Sequence, residues 1–444
     1  MIQTNEHITT FAHPKMAFTF VGVDSHKQSH TFVFLNFMFE KLGEITISNT
    51  PSDFSNFLID AKKFLQPNTK FCFGFEDVHH YGRMIASFLI TQGYTVKHTN
   101  ANLVASERNS RNILQKNDSI DAECCGRVLI HRFDELPIAS HDERFFIINL
   151  LVGKREFMSK QVKRFKGQLH ELLYPHYPSY QKFFSNLDTK IALAFYEAYP
   201  TPHNLEGVTV LELTELFKGI MPQKRSEQKA NLILSLIATE GVDVSPYQSS
   251  IDFTIRLTVR QLKATILEMD QIEHELAGFL KHFDYPLLSM KGIDVVTASR
   301  LISEIKDINR FPNASTLAHY SGIAPVTHAS GNTDMKYANK RGNRQLNGIF
   351  NQLATNLITP NAGNQILNPF FYTYYRKKLA EGKTHKQAIK SVCRRLVNII
   401  YGIMKHGQDY INPPTAYINE ETGEIIEPNS NQQTHIEKIH ASLK

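Results

Sequence analysis

Four carboxylates stand where this chain can put them to chemical use. Asp24 closes a β-rich run, FVGVDSHK, and Glu76 closes another, FGFEDVHHYG. Ligands of α/β folds sit at strand ends, so two acids there are candidates for holding a cation. Each acid alone reads more readily as the cap of a surface turn; the pair says more than either member. Asp118 and Asp121, in KNDSIDAECCG, lie three apart where a helix should begin. That spacing puts them on one face, and the helix dipole favours negative charge at that end. Asp118 could also be the N-cap of that helix. Together, two strand-end and two helix-borne carboxylates can hold two divalent ions about 3.5–4 Å apart, which supports in-line displacement at a phosphodiester. Ligation by oxygen alone favours Mg2+ or Mn2+ over zinc. His79 and His80 adjoin Glu76 and could approach a metal, although adjacent loop histidines are more often unligated.

The elements that must position these acids are legible as alternating short strands and helices from Phe18 to about Ile130. FTFVGVD, SHTFVFLNF and ITISN read as three strands, followed by an amphipathic stretch from Pro51 to Leu65 and the strand KFCFGFE. A helix over 81–91, a turn at Gln92-Gly93 and the strand YTVKHTN complete a β–β–β–α–β–α–β order, the shape of a ribonuclease-H-like core. Residues 18–135 are therefore expected to form one α/β domain. From 142 to 282 the texture becomes helical. Ile255, Val259, Leu262, Ile266, Met269 and Leu276 follow an a/d rhythm that suits either a helix buried in its own bundle or an intermolecular coiled-coil seam. Proline-rich breaks near Pro175, Pro200 and Pro222 divide this region into hairpins. Residues 286–409 read as a third, all-α unit, opened by LLSMKGIDVVTASRLISEI in the pattern of a helix-hairpin-helix. The polar segment 410–444, with Pro413-Pro414, predicts a flexible tail.

Composition narrows the class further. With 444 residues, 42% apolar and 21% charged, the chain can bury two or three ordinary cores. Its net charge of +6 is unevenly placed. Between Lys336 and Ile400 there are twelve basic residues against the single acid Glu381, a local charge of +11. They are Lys336, Lys340, Arg341, Arg344, Arg376, Lys377, Lys378, Lys383, Lys386, Lys390, Arg394 and Arg395. Lys386, Lys390 and Arg394 fall at i, i+4 and i+8 of one helix, and Phe370, Phe371, Tyr372, Tyr374 and Tyr375 precede them. Cations interleaved with aromatics are expected where a surface meets nucleic acid, although most charge runs are simply solvated helix faces. Four irregularly spaced cysteines form neither a disulfide framework nor a zinc site. No signal peptide, membrane-length apolar run, phosphate-cradling Gly-Lys loop or dinucleotide glycine triplet is present, which predicts a cytoplasmic protein without membrane, ATP or dinucleotide chemistry.

FVGVDSHK, FEDVHHYG with GYTVKHTN, and KNDSIDA resemble the Asp-Glu-Asp-Asp motifs of the IS110 family of insertion-sequence transposases, whose N-terminal domain is similar to the junction resolvase RuvC. That family usually has Glu-Ala-Thr-Gly-x-Tyr at the second motif; here it reads Glu76-Asp77-Val78-His79-His80-Tyr81, which keeps Asp77 as a competing ligand. MKGIDVVTASRLISEIKDINRFPNASTLAHYSGIAP and THASGNTDMKYANKRGNRQLNGIF resemble the family's C-terminal transposase domain. The resemblance implies that Ser330 is the nucleophile, with Ser321 in HYSGIAP the rival, and that Asp24, Glu76, Asp118 and Asp121 hold Mg2+ or Mn2+. Lys340, Arg341 and Arg344 lie ten to fourteen residues after Ser330, and so are expected at the reacting phosphates. It also implies DNA as substrate, a noncoding guide RNA, and a composite site assembled in a dimer or tetramer. Two alternatives stay open on the residues alone. One is a metal-dependent nuclease or junction resolvase without covalent serine chemistry; the other is a noncatalytic nucleic-acid-binding regulator.

Overall fold

The computed structural model describes residues 14–76, 81–139, 142–220, 222–330, 333–337, 339, 342–361, 364–413, 416–418 and 425–426. The chain divides into two compact units, residues 1–143 and 144–444.

The first unit begins with β1 (Phe18–Ser25), β2 (Ser29–Leu35) and β3 (Lys41–Ser48), then α1 (Pro51–Ala61), β4 (Lys70–Phe75), α2 (Arg83–Thr91) and β5 (Thr95–His98). Two further helices follow, α3 (Ala101–Ser110) and α4 (Asp118–His131). The order read from the sequence is thus observed, and α3 is an addition to it. The sheet runs β3-β2-β1-β4-β5; the first three strands pair antiparallel, and β4 and β5 join parallel to β1. Side chains alternate across a strand. Val21, Val23, Phe73 and Phe75 accordingly face one core with Phe54, Phe57, Ile85 and Leu89 of α1 and α2. Phe20 and Cys72 face the other with Cys125, Val128 and Leu129 of α4. The result is a sheet covered on both faces.

The second unit opens with α5 (Glu143–Leu173), α6 (Tyr180–Phe183), α7 (Lys190–Ala198), α8 (Val210–Lys218), α9 (Gln223–Glu240) and α10 (Gln248–Phe279). Helices α5 and α10, each roughly 45–50 Å long at 1.5 Å per residue, run antiparallel. Arg144 donates to the His282 carbonyl at 2.6 Å, and Arg155 pairs with Glu273 at 2.8 Å. Of the a/d residues on α10, Ile255, Val259 and Leu262 are fully buried against Leu169, Phe195 and Ile233 of the same chain. Over that stretch the seam is an internal core. Leu276 joins a second core formed with the C-terminal elements.

Those elements are α11 (Val295–Ile305), α12 (Ala314–Tyr320), β6 (Val326–Ser330), β7 (Thr333–Tyr337), α13 (Arg344–Ile358), β8 (Gln365–Ile366), α14 (Pro369–Ala380), α15 (His385–His406), β9 (Ala416–Ile418) and β10 (Ile425–Ile426). Three differences from the sequence reading have physical causes. The first arm of the expected helix-hairpin-helix is a single 3-10 turn, Leu287–Ser289, because Pro286 and Gly292 (φ +96°) leave too few residues between them for a helix. The segment around Ser330 is an antiparallel ribbon, β6 with β7, and not helix; its Val, Thr and Tyr residues suit a strand. The expected flexible tail is anchored at its start. Tyr410 N donates to Ser289 Oγ at 2.8 Å, Asn412 Nδ2 to the Ser289 carbonyl at 2.6 Å, and β9 pairs with β8.

Candidate metal centre and nucleic-acid surface

Strand parity places the first two acids. Asp24 follows Phe20 and Gly22 on the α4 side of β1, and Glu76, one residue past β4, follows Cys72 and Gly74 on the same side. Helix α4 then has to come close. A Cβ on Gly22 would lie 1.9 Å from the Ala122 carbonyl oxygen and 2.3 Å from Gly126 N, so β1 and α4 meet backbone to backbone. The Cys125 thiol donates to the Gly74 carbonyl at 3.2 Å and holds α4 to β4 as well; burial pushes this thiol up to about 12, so it stays a protonated donor. The N-cap of α4 is Asn117, whose side chain accepts from Ile120 N at 2.8 Å. Asp118 is therefore the first helical residue and not the cap. Its side chain is 55% exposed, against 14% for Asp121 and 17% for Asp24, so Asp118 stands at the rim and Asp121 inside.

The acids feel one another. Burial pushes the Asp24 carboxyl above its ordinary range; His26 opposes this, and the charges of Asp118 and Asp121 add to it. Burial also raises Glu76, reinforced by Asp24 and Asp121 and opposed by Arg108 and Lys116. Half-buried carboxylates that repel each other are stabilised by a cation. Three side chains already answer that need, and none was singled out in the sequence. His26 Nε2 lies 3.2 Å from Asp24 Oδ2 and 3.2 Å from Asp118 Oδ1. Arg108, on α3, forms an ion pair with Asp121, while Lys116 stands 3.9 Å from the same carboxylate. The available signal for His26 was its spacing, two residues beyond a strand-end acid; Arg108 lies on a helix the sequence pattern did not separate. Donor atoms of Asp24, His26 and Asp118 all lie within 4.8 Å of one another, so the residues present fit a divalent ion. Asp77, His79 and His80 lie outside the described residues.

In the second unit Ser330 is the last residue of β6, paired with Thr333 of β7. Ser321 is fully buried and its hydroxyl donates to the Ala318 carbonyl at 3.1 Å, a helix-end role. The loop before α13 docks on the end of α12: a Cβ on Gly342 would lie 2.3 Å from Gly322 Cα. Asn339 Nδ2 donates to the His319 carbonyl at 2.9 Å, and Asn347 Nδ2 to that of Ser321 at 2.9 Å.

The basic residues divide. Arg344, Arg376, Lys377, Lys383 and Lys386 are exposed, and Lys336 lies on β7 opposite Thr327. Lys340 and Arg341 lie outside the described residues. Lys378 pairs with Glu381 at 2.6 Å. The i, i+4, i+8 stripe is not uniformly presented to solvent. Lys390 is half-buried and donates to Asn347 Oδ1 at 2.8 Å, and Arg394 donates to Ser315 Oγ at 2.9 Å and Asn398 Oδ1 at 2.6 Å. Arg395 lies 3.9 Å over the Tyr374 ring. Phe371 and Tyr372 are buried core residues, so this aromatic run mainly builds the scaffold. Among the described residues no helix is long and apolar enough to cross a membrane.

A mixed five-stranded sheet with flanking helices and an acidic cluster at its strand ends is consistent with a ribonuclease-H-like DEDD transposase domain. Residues 21–178 match the DEDD transposase family of IS110, and residues 284–367 match the transposase family of IS116, IS110 and IS902. The insertion element IS110 uncharacterized 43.6 kDa protein of Streptomyces coelicolor is 27% identical over 66% of this chain and 72% of its own. The insertion element IS900 uncharacterized 42 kDa protein of Mycobacterium paratuberculosis is 21% identical over 89% and 97%. The pilin gene-inverting protein of Moraxella bovis is 26% identical over 45% and 59%. The chain belongs to the IS110 family of transposases, enzymes that act on DNA.

Proposed function

We propose that this transposase cuts and rejoins DNA by combining a serine nucleophile, Ser330, with a divalent-metal site built by Asp24, Glu76, Asp118 and Asp121, at positions chosen by a noncoding guide RNA. The observation that carries this reading is the gathering of the acids on the α4 face of the sheet, where their mutual repulsion calls for a cation. Bound Mg2+ or Mn2+ would supply charge neutralisation at the phosphate undergoing displacement. Asp24 and Asp121, fixed by strand and helix, hold the inner face of that site; Asp118 and Glu76 close it.

Ser330 Oγ attacks phosphorus, the Oγ–P bond forms, and the bond to one sugar oxygen breaks. The serine proton is lost and the leaving sugar oxygen gains one, so the strand is conserved as a phosphoserine ester. Attack by another sugar hydroxyl reverses these changes on a new partner, and no energy source is consumed. Support for Ser330 comes from the similarity of THASGNTDMKYANKRGNRQ to the family's C-terminal domain, and from the commitment of the Ser321 hydroxyl to a buried carbonyl. Lys336, Lys340, Arg341 and Arg344 follow Ser330 in the chain and would neutralise the nearest phosphates, with Arg376, Lys377, Lys378, Lys386, Arg394 and Arg395 supporting the flanking backbone while Lys390 is held by Asn347. The two sites are brought together as a composite across subunits of a dimer or tetramer.

Trapping with DNA carrying an element end tests this. A covalent protein–DNA adduct in the wild type, absent in Ser330→Ala and present in Ser321→Ala, supports it. Full cleavage by Ser330→Ala without an adduct would mean a metal-only nuclease and would sink the serine mechanism. Sequencing RNA that co-purifies with the protein tests the guide: one discrete species is expected.

A further inference from the structure

We infer that His26 is a nitrogen ligand of this transposase's metal site, which makes the centre selective for Mn2+ over Mg2+. The inference rests on the metal-site part of the proposed function and concerns a residue outside the four-carboxylate motif. Nε2 of His26 lies 3.2 Å from Asp24 Oδ2 and 3.2 Å from Asp118 Oδ1, and the three donor atoms fall within 4.8 Å of one another. Neighbouring ligands of an octahedral ion with bonds of about 2.1 Å are about 3 Å apart. The imidazole nitrogen and the two carboxylate oxygens therefore already stand near the separations that adjoining ligands need.

The backbone explains why the imidazole is there. His26 is the first residue past β1, and its N–H donates to the Ser29 carbonyl at 2.9 Å, closing the turn into β2. That turn projects the side chain over the end of β1, towards the first turn of α4. Alanine at position 26 keeps this backbone N–H, so the ring can be deleted without opening the hairpin. Chemically, imidazole bonds manganese more readily than magnesium, which prefers oxygen and keeps its waters. A site of carboxylates alone discriminates weakly; one with a nitrogen donor prefers Mn2+.

The test is Mn2+ binding to the purified full chain, read by calorimetry and by pulsed electron paramagnetic resonance for coupling to directly bonded nitrogen. Wild type is expected to bind Mn2+ with a nitrogen coupling that disappears in His26→Ala. Mn2+ affinity should then fall about 10- to 100-fold, with a smaller loss for Mg2+. Because the His26 side chain is 51% exposed, the variant should melt with wild type, which separates ligation from unfolding. A persisting nitrogen coupling in His26→Ala, or none in wild type while Asp24→Asn abolishes binding, overturns the role of His26 and leaves the carboxylate site standing. Failure of wild type to bind Mn2+ or Mg2+ at all overturns the metal site itself.

Discussion

Replacing Gly22 with alanine tests whether the acidic site depends on the close approach of β1 and α4. The added Cβ would fall 1.9 Å from the Ala122 carbonyl oxygen, 2.3 Å from Gly126 N and 2.8 Å from Gly126 Cα, all backbone atoms of α4. No rotamer change relieves backbone contacts, so restoring even 3.0 Å requires strand and helix to part by roughly 1 Å. Overpacking of this kind costs about 3 kcal/mol, which for a domain of this size lowers the melting temperature by roughly 6–12 °C. Asp24 lies two residues beyond Gly22, and Asp118 and Asp121 begin α4, so the same displacement separates the carboxylates. A 1 Å misplacement of reacting groups costs on the order of 100-fold in rate. Gly126→Ala is the internal comparison. Its Cβ meets the flexible end of Leu35 at 2.8 Å but no backbone closer than 3.2 Å, so a loss of about 1 kcal/mol and a smaller rate effect are expected. Thermal melts and a strand-transfer assay read both. If Gly22→Ala melts within 2 °C of wild type and transposes at its rate (~2 °C being about 1 kcal/mol here), the backbone contact does not position the site.

Three further outcomes follow from the same geometry. Asp24 and Glu76 are raised above 3.8 and 4.5. The folded state therefore keeps protons that the unfolded chain releases, and the associated stability, full below those ordinary values, is lost as pH rises through the raised ones. Metal-free Glu76→Gln should accordingly melt above wild type at neutral pH and lose that advantage near pH 3; equal melting at both would contradict the shift. Arg376→Ala and Lys377→Ala should each reduce the salt dependence of DNA binding by about one unit of slope. Lys390→Ala should instead change thermal stability with the slope intact, because Lys390 is spent on Asn347; a lowered slope would count against that assignment. Leu262→Ala should cost about 2–5 kcal/mol, with melting independent of protein concentration. A concentration-dependent melt would place Leu262 at a subunit interface.

Much of the first unit was readable because its signals are local. Phe20, Val21, Val23, Phe32 and Phe34 are runs of strand-forming residues, and Pro51, Gly93 and the strand alternation punctuate them in the order the sheet requires. Even the site partly followed: parity along β1 and β4 is enough to put Asp24 and Glu76 on one face. Three-dimensional proximity was less visible. Nothing in the spacing of Gly22 and Gly126, more than a hundred residues apart, announces that they touch, and the pairing of Arg108 with Asp121 comes from the packing of α3 on α4. In the second unit, charge periodicity does not fix which side chains reach solvent. Lys390 and Arg394 have the periodicity of a solvated stripe, yet Lys390 is half-buried against Asn347 of α13, while Arg394 bonds Ser315 of α12 at the surface. Phe371 and Tyr372 looked like stacking residues and are core, because aromatic side chains bury large apolar areas wherever a helix packs.

The carboxylates are not equivalent, and the inequality has a structural origin. Asp121 is nearly buried, faces Arg108 across the α3–α4 contact, and shares its electrostatic environment with Glu76 and Asp24. Asp118, one turn nearer the start of α4, is open to solvent and faces His26. Asp24 lies between the two groups and is influenced by both. A helix axis carries residues three apart about 4.5 Å along its length, so in the proposed metal site one turn of α4 would set an inner and an outer subsite around a single strand-end acid. The inner subsite is closed by guanidinium and the outer by imidazole. Arginine cannot ligate a metal and must yield its carboxylate to one, whereas histidine can either yield or bind. Occupancy of the inner subsite therefore has to displace an ion pair, while the outer can be filled in place; metal entry is expected to be sequential, from the rim inward.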